Sequence, residues 1–179
     1  MNNFIQFLTY FRIIISPVIF LLITIANLYE WALFLFFLAS ISDYWDGFLA
    51  RKYDLESTIG AVIDPIADKI LITFLILALT IELSSIFVGM VGGIILVREF
   101  WVSALRDLNA RQGNTDATNV SKLAKLKTSI QLFAFFSYLL GLALGNSIIL
   151  FISNFILILA LIITLQTGIT YTISSFKRY

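Results

Sequence analysis

The sequence predicts an all-α integral membrane protein, a six-transmembrane-helix bundle with both termini cytoplasmic. Three observations carry that reading. Hydrophobic residues make up 60% of the 179, and the mean hydropathy is +0.97; soluble domains are only ~45–50% apolar. Six apolar stretches come close to the ~20 residues that a bilayer helix requires. The basic residues cluster on one side of the topology those stretches create.

Taken in order, the predicted spans are residues 12–29, 32–51, 59–81, 84–108, 122–143 and 147–174. The polar breaks "NLYE", "KYDLEST", "ELSS", "NARQGNTDATN" and "GNS" separate them. A polar start, residues 1–10, reads as an interfacial segment ahead of the first span. The start lacks a small-residue cleavage site, and the apolar run after Arg12 is long, so it reads as a retained span and not as a signal peptide. No repeat, low-complexity segment or long linker divides residues 1–179, which form a single domain. With the N-terminus in the cytoplasm, all twelve Lys and Arg lie at or toward that side, while the opposite loops hold only Glu30 and Glu82. That is the positive-inside pattern. Phe34, Phe36, Phe37, Phe133, Phe135 and Phe136 read as lipid or core surface, and Tyr29, Trp31, Tyr53 and Tyr179 as interfacial anchors.

Composition also excludes chemistry. A net charge of +1 argues against a nucleic-acid partner. Without cysteine or histidine there is no thiol nucleophile, no Ser-His pair and no thiolate or imidazole metal ligand. A general base must be a carboxylate, lysine or tyrosine, and a metal site must be built from oxygen.

Against that background, four carboxylates in apolar sequence call for an explanation. Asp43 and Asp46 are three apart in the second span, and Asp64 and Asp68 are four apart in the third. Such spacings put side chains on one helical face, so each pair makes an acidic edge. The short connection between the spans predicts antiparallel neighbours whose edges face each other. An ionised group at mid-bilayer costs roughly 2.5–3.5 kcal/mol, and four together repel. Structural pairing with Lys69 or Arg98 would satisfy one acid but not four. Two hard divalent cations, Mg2+ or Mn2+, would balance the set. Gly47, Ala50 and Gly60 fall one turn from an acid and leave either room for close helix packing or space for a ligand. Arg51 follows at the mouth, suited to a phosphate. Pro65 removes a backbone hydrogen bond to the carbonyl of Ala61.

From Asp43 to Asp68 these residues read D-x2-D-G-x2-A-R-x8-G-x3-D-x3-D. The pattern resembles the signature of the CDP-alcohol phosphatidyltransferase family, with every spacing intact. Eight fixed identities would match by chance roughly once in 10¹⁰ positions. Three further stretches are similar to family members that act on sn-glycerol 3-phosphate: "LTYFRIIISP" with Thr9, Arg12 and Pro17, "REFWVSALR" from Arg98 to Arg106, and "KLAKLKTSIQ" with Lys125, Lys127 and Thr128. Two departures are the missing Pro-Asn before the first helix and Ala124 in place of a usual Gly. The last helix carries no motif.

The resemblance implies six transmembrane helices assembled as a homodimer in a bacterial inner membrane, with the active site facing the cytoplasm. It implies transfer of a phosphatidyl group from CDP-diacylglycerol to an alcohol, releasing CMP; for the members that these three stretches resemble, the alcohol is sn-glycerol 3-phosphate. Asp43, Asp46, Asp64 and Asp68 would hold the two cations, with Asp68 also the general base. Gly47, Ala50, Arg51, Ser57 and Gly60 would line the CDP site. Arg98, Arg106 and Lys125 would take the acceptor phosphate, with Glu99 orienting an arginine; the alternative is that these cations meet anionic lipid heads. Competing expectations are another acceptor (serine, an inositol phosphate or phosphatidylglycerol) and, in a different class, a divalent-cation or proton transporter, which usually has repeated halves.

Overall fold

The computed structural model describes residues 2–53, 58–111 and 122–176, with side chains placed for 7–42, 63–111 and 126–176. Among these the chain forms six α-helices and no strand: α1 Asn2–Thr24, α2 Tyr29–Tyr53, α3 Thr58–Glu82, α4 Ile86–Arg111, α5 Lys122–Ala143 and α6 Ser147–Phe176. The six predicted spans map one to one onto these helices. The first differs most. Nothing between Asn2 and Thr9 breaks a helix, so α1 runs unbroken through the polar start. It stops at Thr24, where the amide of Ala26 donates to the Leu21 carbonyl at 3.1 Å and Asn27 takes a left-handed φ of 53°.

α1, α4, α5 and α6 each contain a segment long and apolar enough to cross a bilayer, and α2 holds a shorter one, Tyr29–Ser42. Large apolar side chains such as Phe34, Phe37, Met90, Val97, Phe133 and Phe151 are exposed around the bundle. So broad an apolar exterior is stable only against lipid, and the protein is multi-pass. Phe36 and Phe135, expected on lipid or core surface, are core residues.

The main helix contacts close a ring: α1 packs on α2 and α3, α3 on α4, α4 on α6, α6 on α5, and α5 on α2. Among the described residues, α1 therefore bridges the two acid-bearing helices. The direct pairing expected from their short connection is not the main contact there.

The ring is divided along its axis. At one end, apolar side chains interlock: Ile19 and Ile23, Phe36, Leu75 and Leu79, Ile95, Phe135 and Leu139, and Leu157. Two tight turns fix this end. After α3, Ser84 takes φ 45° and Ser85 donates to the Thr80 carbonyl; after α5, Gly145 takes φ 59° and Asn146 donates to Gly141. Both are Schellman closures that satisfy carbonyls at a helix end. Asn146 then caps α6 by accepting from the amides of Ile148 and Ile149. Close packing needs small residues here: a Cβ on Gly92 would lie 2.4 Å from Cγ2 of buried Ile76. The other end holds Arg12, Asp64, Asp68, Arg98, Glu99 and Lys127.

Candidate active site

At the charged end a cavity of about 560 Å³ opens between the helices. Asp64, Asp68 and Lys69 of α3, Arg98, Glu99, Ser103 and Arg106 of α4, and Lys127 and Gln131 of α5 line it, with Ser40 from α2. It has an acidic wall and a basic wall, and each is supported by a terminal helix.

The acidic wall is held by α1. Arg12 is 1% exposed, and its Nη1 donates to Asp68 while Nη2 lies 3.8 Å from Asp64. Thr9 donates to Asp64 at 2.6 Å. Thr9 and Arg12 are three apart, so one face of α1 serves both acids, and Ser16 one turn on donates to the Arg12 carbonyl. The acids themselves remain open to the cavity, with 37% and 45% of their side-chain surfaces exposed. A buried guanidinium thus fixes two carboxylates without covering them. The partner expected from sequence was Lys69 or Arg98. Lys69 instead donates to Ser103 at 2.7 Å, and Arg98 to residues of α4 and α6.

The basic wall belongs to α4 and α5. Arg98 is buried, donating from Nη2 to Thr167 at 2.6 Å and from Nη1 to Glu99 at 3.3 Å. Glu99 also accepts from Lys127 at 2.5 Å, so the expectation that it orients an arginine holds, and it orients a lysine as well. Gln131 joins Glu99 to Thr164. Arg106 donates to the Tyr171 hydroxyl at 3.0 Å with its guanidinium 5.0 Å from that ring's centre. Its Nε is buried and, among the described residues, has no partner. On this wall, among the described residues, three cations thus stand against the single carboxylate of Glu99, and neutral hydroxyls supply much of their support. That leaves positive charge for an anionic ligand.

The cavity therefore brings together Asp64, Asp68, Arg98 and Arg106. Asp43, Asp46, Gly47, Ala50 and Arg51 lie in helical backbone of α2, Gly60 in α3 and Lys125 in α5, so their helical spacing is real; their side chains, and Ser57 altogether, lie outside the described residues. Among the described residues the lysines on the cavity are Lys69 and Lys127. Sequence reading also missed the supports: Arg12 as the acids' partner, and the polar side chains of α6. A signal existed for the second. Thr164, Thr167, Gly168, Tyr171 and Ser175 recur at helical spacing in the most apolar helix, and all five are buried.

The donor set can be weighed against a metal. Asp64 and Asp68 offer only oxygen, are open to the cavity and are held at a common level by α1, which suits a hard divalent cation.

Comparison with known proteins agrees with the geometry. A sequence model described as CDP-alcohol phosphatidyltransferase matches residues 3–166. The chain is 40% identical over 175 residues to a protein of Rickettsia typhi named CDP-diacylglycerol–glycerol-3-phosphate 3-phosphatidyltransferase, with 96% of each chain covered. Identity to the protein of that name in Rickettsia felis is 39% over 182 residues, covering 99% of this chain and 97% of the relative. The Wigglesworthia glossinidia brevipalpis protein of the same name is 37% identical over 134 residues, 74% of each chain.

Proposed function

The chain belongs to the CDP-alcohol phosphatidyltransferase family, and on that premise we propose that it is a phosphatidylglycerophosphate synthase. It transfers the phosphatidyl group of CDP-diacylglycerol to sn-glycerol 3-phosphate in phospholipid biosynthesis. The observation that carries this reading is a single cavity walled by Asp64 and Asp68 on one side and by Arg98, Arg106 and Lys127 on the other.

In the reaction, a glycerol hydroxyl oxygen bonds to the β-phosphorus, the bond from that phosphorus to the CMP oxygen breaks, and CMP leaves. Asp68 accepts the hydroxyl proton; with no histidine in the chain the base is a carboxylate, lysine or tyrosine, and the family resemblance selects Asp68. Two divalent cations held by Asp43, Asp46, Asp64 and Asp68 would supply charge neutralisation to the pyrophosphate. Gly47, Ala50, Arg51, Ser57 and Gly60 would seat the CDP moiety. Arg12 keeps Asp64 and Asp68 fixed in place, and Arg98, Arg106 and Lys127, with Lys125, bind the acceptor phosphate. That surplus of cations favours a phosphorylated acceptor over serine. The six helices all span the bilayer, the cavity faces the cytoplasm of a bacterial cell with both termini on that side, and the protein works as a homodimer.

The test is an acceptor screen. Purified protein with CDP-diacylglycerol and Mg2+ should release CMP with sn-glycerol 3-phosphate and not with serine, inositol phosphate or phosphatidylglycerol. Release with serine alone would overturn the choice of acceptor.

A further inference from the structure

We infer that α6, the helix without a motif, is the positioning element of the acceptor site, with Gly168 and Thr167 fixing Arg98 and Tyr171 fixing Arg106. The inference rests on the acceptor reading above and adds residues that it does not name.

The contact is unusually close. A Cβ on Gly168 would stand 3.0 Å from Cγ and 3.1 Å from Nε of Arg98. Arg98 has little freedom to give way, because Thr167 holds one end of its guanidinium and Glu99 the other. The missing side chain at 168 thus sets how far Arg98 sits from the axis of α6.

Thr167 adds direction. Its hydroxyl donates to the Ile163 carbonyl at 2.9 Å, so its proton is spent and its oxygen faces Arg98 as an acceptor. The device recurs along the helix. Ser175 donates to the Tyr171 carbonyl and accepts from Asn109 of α4, and Thr172 donates to Gly168 while accepting from Trp101. In each case the α6 hydroxyl is turned into a neutral acceptor for an α4 donor. Tyr171 treats Arg106 similarly, with its hydroxyl as acceptor and its ring face against the guanidinium.

Neutral acceptors align a guanidinium without cancelling its charge; a carboxylate at 167 would do the first and undo the second. Two arginines eight residues apart are thereby held ready for one phosphate. Hydroxyls between membrane helices also act simply as glue, so the test must separate positioning from stability.

The full chain is assayed for CMP release with both substrates varied in turn. Gly168→Ala displaces Arg98 by a few tenths of an ångström and should raise KM for sn-glycerol 3-phosphate about tenfold, because small misplacements of a binding group are costly. KM for CDP-diacylglycerol and kcat should stay within about twofold, since neither depends on Arg98 in this scheme. Thr167→Val should act in the same direction, and Thr167→Ser should restore the parent value. In an Arg98→Gln background Gly168→Ala should have no further effect on KM, as expected for coupled residues. Gly93→Ala, with nothing within 4 Å, is the neutral control. If Gly168→Ala does not fold, the Val and Ser variants of Thr167 decide alone, and equal KM in both overturns the inference. A wild-type protein inactive on sn-glycerol 3-phosphate sinks the acceptor reading and the inference together. Wild-type activity with unchanged KM in the Gly168 and Thr167 variants sinks the inference only.

Discussion

The two ends of the bundle are built on opposite principles. At the end closed by the turns at Ser84 and Gly145, stability comes from interlocked apolar side chains and satisfied helix termini. At the other end the bundle buries Arg12, Arg98 and Lys127, which cost free energy unless paired. Cations and carboxylates around one cavity are the feature that the proposed ligand site accounts for. The difference teaches where the protein can lose stability without losing chemistry, and the reverse.

The strongest way to sharpen the contrast is at the charged end. Asp68→Asn should lower CMP release by about 10²–10⁴-fold, while circular dichroism shows the helices intact. Retained turnover would remove Asp68 from the role of base. Arg12→Ala should affect both properties. It empties a buried site and frees Asp64 and Asp68, costing about 2–3 kcal/mol, below the range for a fully buried pair because both acids are partly solvated. Unfolding followed in detergent would read that loss, and CMP release should fall with it because the acids are no longer held.

At the apolar end, Gly92→Ala should cost about 1–3 kcal/mol, since the new methyl meets Cγ2 of Ile76, a methyl fixed on the branched Cβ and not the far end of a flexible chain. Turnover per folded molecule should stay within about twofold. A large catalytic loss would show that the two ends are coupled. The smallest effect belongs to Tyr29→Phe. The Tyr29 hydroxyl donates to Glu82 at 2.5 Å, joining the start of α2 to the end of α3. Its loss should lower stability by about 1 kcal/mol or less and leave CMP release unchanged.

Much of this protein is legible in its sequence. Helix count and most boundaries follow from hydropathy, because a bilayer forces each apolar stretch into a helix that satisfies its own backbone. The acids on α2 and α3 could be read because helical spacing is local, and three or four residues suffice to define a face. The family resemblance singled out Arg98 and Arg106, and both line the cavity. Locality also set limits. Connection length suggested α2 against α3, whereas among the described residues α1 makes the main contacts with both. Arg12 was visible as a residue of the first span, but its partners are 52 and 56 positions away, and no local pattern links them.

The sequence alone therefore determined the elements, the acidic edges, the oxygen-only chemistry and the family pattern, since each is written in composition or in spacings of a few residues. Only the tertiary structure decided which helices meet. It placed α1 behind the acids, α6 behind the arginines and a glycine where Arg98 needs room. Contacts between distant segments depend on the shapes of whole helix surfaces, and those exist only once the ring has closed.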